Sequence, residues 1–161
     1  MSEPLFDLAA PEPKAPRGKY LPIYRLSLVR EGREPYDPAG HPAAAARFID
    51  ALCQDEPAEC MGVLFLDQRH RVIGASILYR SGFNRAAVEP RGLLAAALLA
   101  NAGGIICFHN HPSGDPSPSA EDLTFTRRLA EAGEIIGVRL MDHVIVGGNG
   151  QWISLRQRGA W

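Results

Sequence analysis

Cysteine is scarce in this chain, and long apolar runs are absent from it. The three cysteines, Cys53, Cys60 and Cys107, are odd in number and form no CxxC pair, which argues against a disulfide framework. No apolar stretch reaches the roughly 20 residues of a membrane span. The N-terminus also lacks the apolar core of a signal peptide. We therefore expect a cytoplasmic protein without a membrane segment.

An excess of basic charge is also missing. The chain has 17 Lys and Arg against 18 Asp and Glu, for a formal net charge of -1. Proteins that bind nucleic acid directly usually show a basic face or a high pI, so the balance argues against that class. The 161 residues are 46% hydrophobic, which is enough for one domain with one real core.

The order of apolar patterns predicts a mixed α/β domain over residues 19–161, preceded by a Pro-rich tail over residues 1–18. Alternating or continuous apolar runs predict strands over 20–30, 59–67, 71–79, 103–109, 138–146 and 151–155. Helical spacing predicts helices at 42–53, from Pro90, and over 119–132. In the second helix we expect a buried stripe of Leu93, Leu94, Ala97 and Leu98. Helices packed on a central mixed sheet follow from this order.

Two histidines and an acid form the most informative pattern. His109 and His111 stand two apart at a strand end, so their side chains share one face of the sheet. The loop 110–118 is dense in turn formers, and Asp122 follows it in the first turn of a helix. Two imidazoles and one carboxylate, with a fourth position left to water, are typical of a catalytic zinc site.

Each part of this pattern also has a purely structural interpretation. Ser119-x-x-Asp122 is typical of a helix start, with Ser119 as the N-cap and the acid favoured by the helix dipole. A catalytic zinc site further needs a carboxylate that moves protons. From the sequence pattern, Glu59, Asp67 and Glu134 are all candidates for that base.

The run HNHPSGDPSPSAED at residues 109–122 resembles the JAMM metalloprotease pattern: His-x-His, seven residues, Ser, two residues and Asp. The words HNHPSG at 109–114 and DHVIVG at 142–147 are similar to the RadC-like branch of that family. The resemblance covers roughly residues 59–161, and more loosely the segment from residue 20.

The resemblance implies an α/β sandwich of the JAMM and cytidine-deaminase type. It implies Zn²⁺ as cofactor, held by His109, His111 and Asp122. Ser119 matches the serine that stabilises the oxyanion, and Glu59 falls where the family places its general base. His143, with Asp142 beside it, matches a family word and is a candidate for orienting a metal ligand, or for a structural role.

The implied function is hydrolysis of an amide bond in a peptide or protein substrate. Two alternatives remain: a non-catalytic JAMM-like module linked to DNA repair or replication, and a zinc hydrolase acting on a nucleotide. A zinc deaminase would show HxE and PCxxC words, and PCxxC is absent. Many RadC-like proteins carry a helix-hairpin-helix region, and residues 1–58 show no GxG hairpin between helices. We therefore expect a short form, to which the family label of DNA repair transfers poorly. The sequence leaves a homo-oligomer open.

Overall fold

The computed structural model describes residues 42–53, 56, 58–80 and 88–161, together with Arg25 and Val29. The predicted tail over 1–18 and the predicted strand over 20–30 lie outside the described residues, apart from those two positions. All elements below belong to the unit Pro35–Trp161.

Three helices and five strands are present in the described part of the chain. The helices are α1 (Pro42–Cys53), α2 (Pro90–Leu99) and α3 (Ala120–Ile136). The strands are β1 (Cys60–Leu66), β2 (Val72–Arg80), β3 (Gly104–Asn110), β4 (Arg139–Val146) and β5 (Trp152–Ser154). Each predicted strand and helix from residue 42 onward is thereby confirmed, with shifts of a few residues at the ends.

The five strands form one sheet in the order β2-β1-β3-β4-β5. β3 pairs antiparallel with β1 and parallel with β4, while β2 and β5 add antiparallel edges. The sheet is therefore mixed, and the predicted α/β class is confirmed. β3 occupies the middle position, so its carboxyl end is flanked by strands on both sides.

Apolar side chains cover both faces of the sheet. One face packs against α2 and α3, through residues such as Leu93 and Leu129. The other face packs against α1, through Ile49 and Phe108. Alternation along the strands sorts the side chains between these layers, since successive residues point to opposite faces. The result is a three-layer sandwich whose polar side chains gather where β3 ends.

One local prediction was wrong, and one helix end lies further along the chain than expected. Leu98 is 57% exposed, because the buried arc of α2 runs from Pro90 through Leu93, Leu94 and Ala97 and stops short of it. The third helix continues four residues beyond 132 to Ile136, and its C-cap is Gly137, whose φ of 77° is a left-handed conformation that glycine adopts without strain. Among the described residues, none of the helices is long and apolar enough to cross a membrane.

Candidate metal centre

The two histidines of the HxH motif converge at the end of β3. His109 Nε2 and His111 Nε2 are 3.0 Å apart, with ring centroids separated by 4.8 Å. His109 is fully buried, and His111 is partly buried just beyond the strand. The alternation of strand side chains brings them to one face, as the spacing predicts.

Asp122 reaches the same point from the start of α3. Its Oδ1 lies 3.3 Å from His109 Nε2, and its Oδ2 lies 3.8 Å from His111 Nε2. The helix start that holds it is a complete capping box. Ser119 is the N-cap, its Oγ accepts from the Asp122 N–H, and Asp122 Oδ2 accepts from the Ser119 N–H at 2.8 Å. The capping interpretation is therefore confirmed, and the cap also aims the carboxylate at the histidines.

The ionised form of Asp122 is favoured by these neighbours. Burial alone would raise the pKa of this carboxyl. The hydrogen bond and charge of His109, together with the hydrogen bonds from Ser119, outweigh burial and hold the pKa well below its usual range. The cluster therefore contains an acceptor-only carboxylate, as a metal ligand must be.

Glu59 is the base candidate that lies at this cluster. Met61 pairs with His109 in the antiparallel ladder, so extending that register places Glu59 opposite His111. Ligand atoms of Glu59, His109 and His111 all lie within 4.8 Å of one another, close enough to hold a metal ion.

The other two acids considered as bases lie elsewhere. Asp67, at the far end of β1, accepts from the backbone N–H of Arg69 and the side chain of Arg71. Glu134 pairs with Arg139 on the exposed surface of α3. Geometry therefore separates three carboxylates that sequence position left equivalent.

A chain of hydrogen bonds fixes the tautomer of His109. The Thr126 hydroxyl donates to the Asp122 carbonyl at 2.6 Å, so its oxygen must accept from His143 Nδ1, also 2.6 Å away. His143 is fully buried, where a charged imidazolium would be costly, so its Nε2 carries a lone pair. That nitrogen accepts from His109 Nδ1 at 2.8 Å. Nδ1 of His109 therefore carries a proton, and Nε2 is the nitrogen left to bind a metal.

His111 is oriented in the same sense by a backbone group. Its Nδ1 lies 2.7 Å from the carbonyl oxygen of Asp115, which can only accept, so this nitrogen carries the proton. The Nε2 atoms of His109 and His111 are consequently the two nitrogens available to a metal, and they face each other across 3.0 Å. Two unprotonated nitrogens at this distance repel unless a proton or a metal ion lies between them. Two nitrogens bound to one tetrahedral zinc at about 2.0–2.1 Å would be about 3.3 Å apart. The donor set therefore fits zinc.

Asp142, the other residue considered for orienting a ligand, lies away from the histidines. Its Oδ1 accepts from the backbone N–H of His143 and Arg156, and its Oδ2 accepts from the Ser154 hydroxyl at 2.6 Å. Burial raises the pKa of this carboxyl, against the lowering effect of those donors. Asp142 ties β4 to β5, while its neighbour His143 contacts the cluster.

Two side chains of the site, Thr126 and Asn110, are not predicted by the sequence patterns. Thr126 is one helical turn after Asp122, and this spacing could have indicated that both side chains lie on the same face of α3. Asn110, between the two histidines, accepts from the Cys60 N–H at 2.7 Å and donates to the Ala58 carbonyl at 3.4 Å. These bonds bracket Glu59 on both sides and hold its backbone against β3. The signal for Asn110 was its position inside HxH, but its partners lie about 50 residues upstream.

Comparison with known proteins places this arrangement in a family. A family model described as a RadC-like JAB domain matches residues 39–160. A UPF0758 protein of Halorhodospira halophila is 49% identical over 118 residues, which are 73% of this chain and 52% of the relative. A UPF0758 protein of Listeria innocua is 48% identical over 136 residues, 84% of this chain and 59% of the relative. One of Listeria monocytogenes is 50% identical over 96 residues, 60% of this chain and 42% of the relative.

The chain spans about half the length of the curated relatives it matches. The family model, by contrast, covers most of the chain and includes every residue of the histidine cluster. The resemblance seen in the sequence is therefore confirmed, and the chain belongs to the RadC-like JAB domain family.

Proposed function

We propose that the protein is a zinc-dependent peptidase or isopeptidase that hydrolyses an amide bond of a peptide or protein. The observation that carries this proposal is the convergence of two histidine Nε2 atoms, 3.0 Å apart, on the carboxylate of Asp122. Membership of a family that can be hydrolytic supports it. Glu59 completes the set by placing a second carboxylate beside the histidines.

His109, His111 and Asp122 would hold the metal. When bound, zinc supplies Lewis acidity that polarises a carbonyl and activates water at neutral pH. Glu59 takes a proton from the attacking water and returns it to the leaving nitrogen, the work of a general base and acid. Its position directly before β1 suits that task, because the carboxylate approaches the histidines from a different part of the chain than the loop that follows β3.

Ser119 has two tasks in this proposal. Its hydroxyl donates to Asp122 Oδ2 at 2.7 Å, which orients the carboxylate. Donation to a developing oxyanion requires that hydroxyl to rotate away from Asp122 when substrate is present. Such a contact is worth about 3–4 kcal/mol where single oxyanion donors have been removed.

The first experiment measures metal content and peptide hydrolysis on three proteins. Wild type should carry about one zinc per chain, and His109→Ala should lose both zinc and hydrolysis. His70→Asn is the matched control, since His70 lies exposed in a turn with φ of 58°, which Asn tolerates. A folded wild type that takes up no zinc, or a His109→Ala protein that keeps it, would refute the metal centre.

The role of Glu59 is tested by Glu59→Gln with Glu134→Gln as control. The amide cannot accept the proton of water, so hydrolysis should fall by about 10²–10⁴-fold while zinc content stays unchanged. Glu134 is exposed and paired with Arg139, so its variant should keep both properties. Loss of zinc from Glu59→Gln would make Glu59 a ligand, and full activity would remove it from the mechanism.

A further inference from the structure

Two of the three cysteines meet on the α1 face of the sheet. Cys53 is the last residue of α1 and Cys60 the first of β1, and their Sγ atoms are 3.1 Å apart. Both thiols are free and buried. They belong to the apolar cluster under α1, together with Ile49 and Leu64.

We propose that Cys53 and Cys60 form a redox-active pair that closes to an intramolecular disulfide under oxidising conditions and reopens with thiols. A disulfide bond is about 2.05 Å long, so the two sulfurs need to approach by roughly one further ångström. The fold already holds them together across seven residues of sequence. Such positioning raises the effective concentration of one thiol at the other. Disulfides in reducing compartments are usually transient ones of this kind.

The pair is separate from the candidate metal centre. Side chains alternate along β1, so Cys60 points to the α1 face while Glu59 and Met61 point to the face that carries His109. No metal ligand is consumed by the disulfide. Solvent is nearby, since Arg80, the ladder partner of Cys60, makes a 2.7 Å ion pair with Glu56 at the surface.

Glutathione disulfide serves as the oxidant in the balanced reaction. The Cys53 and Cys60 thiols lose two protons and two electrons as the Sγ–Sγ bond forms. The sulfur–sulfur bond of glutathione disulfide breaks, takes up those electrons and protons, and leaves as two glutathione thiols. Excess glutathione runs the exchange in reverse.

The test counts thiols after equilibration with glutathione and glutathione disulfide at several ratios. The protein is quenched in acid, alkylated with N-ethylmaleimide in denaturant and weighed by mass spectrometry. Reduced wild type should take up three labels and oxidised wild type one. Cys107→Ala is the matched control, since Cys107 is buried in the opposite layer and its loss should leave the pair intact, with labels falling from two to none. Cys53→Ala should keep two labels throughout.

A second titration in denaturant tests whether the folded structure, and not merely the short sequence separation, promotes the disulfide. The folded protein should form the disulfide at a glutathione disulfide level at least tenfold lower than the unfolded chain. Equal or weaker oxidation of the folded protein overturns the proposal, as does a linked peptide that contains Cys107. Neither measurement depends on zinc or on hydrolysis, so the outcome is independent of the proposed peptidase activity.

Discussion

The hydroxyl of Thr126 determines that Nδ1 of His109 carries a proton, which leaves Nε2 to bind a metal. It can donate only one proton, and that proton goes to the Asp122 carbonyl. His143 must then donate to it, and His109 must donate to His143. A metal ligand usually has such an outer partner, which fixes its tautomer and ring orientation. His143 therefore links the Thr126 hydroxyl of α3 to His109, a candidate metal ligand.

Replacing Thr126 with Val should weaken zinc binding without removing any ligand candidate. Val keeps the shape but cannot accept from His143, so the tautomer of His109 is no longer fixed. We expect about 10- to 100-fold weaker zinc affinity, measured by competition with a chelating dye. Thr124→Val is the control, because Thr124 makes the same bond to a carbonyl one turn back, on the exposed side of α3. Equal affinities of the two variants would show that the hydrogen-bond chain has no effect on the metal.

At the scale of elements, the loop after β3, which carries His111, is held by the turn between β4 and β5. The His111 N–H donates to the Val146 carbonyl at 2.8 Å, and the Gly148 N–H donates to the Gly114 carbonyl at 3.1 Å. Gly147 lies so close to Gly114 that a methyl group there would collide with the Gly114 carbonyl oxygen. The two sequence motifs HNHPSG (109–114) and DHVIVG (142–147) are thus in direct contact, which explains why both belong to one site.

Gly147→Ala should displace the loop that carries His111. Overpacking of this kind costs about 1–3 kcal/mol, and the shift should also lower zinc affinity. Gly148→Ala is the matched control, since an added methyl would lie 3.4 Å from the Gly114 Cα, an ordinary contact. Thermal melts and zinc titrations of both variants test this. A Gly147→Ala protein with wild-type stability and affinity would contradict the close contact.

Local sequence patterns predict the helices and strands, whereas the residues that meet at the candidate metal centre also depend on pairing between distant strands. The His-x-His spacing and the Ser119 cap act within a few residues, so the sequence predicts both. Glu59 could not be chosen from Asp67 and Glu134 by residue pattern alone, because its place depends on the β1–β3 register, 50 residues apart. Only the family resemblance pointed to it. The prediction that Leu98 is buried was wrong for a related reason, since the width of the buried face of α2 depends on which elements pack beside it.

At the scale of the whole molecule, the candidate metal centre joins four elements. β3 supplies His109 and leads into His111, α3 supplies Asp122, β1 leads in from Glu59, and β4 supplies His143. These elements meet only when the sheet is complete and α3 is packed on it. A metal held there is therefore bound by the folded chain and not by the unfolded one, so binding and folding are coupled.

This coupling predicts that zinc raises the melting temperature. At a free zinc concentration 100 times its Kd, the gain in unfolding free energy is about 2.7 kcal/mol. For a chain of this size, that corresponds to a rise of roughly 5–11 °C. Scanning calorimetry of metal-free protein with and without zinc measures it. Magnesium, which prefers six oxygen ligands, should give no comparable shift. His109→Ala should melt at the same temperature with and without zinc. If zinc stabilised wild type and His109→Ala equally, the ion would be bound elsewhere on the protein, and the histidine cluster would not be its site.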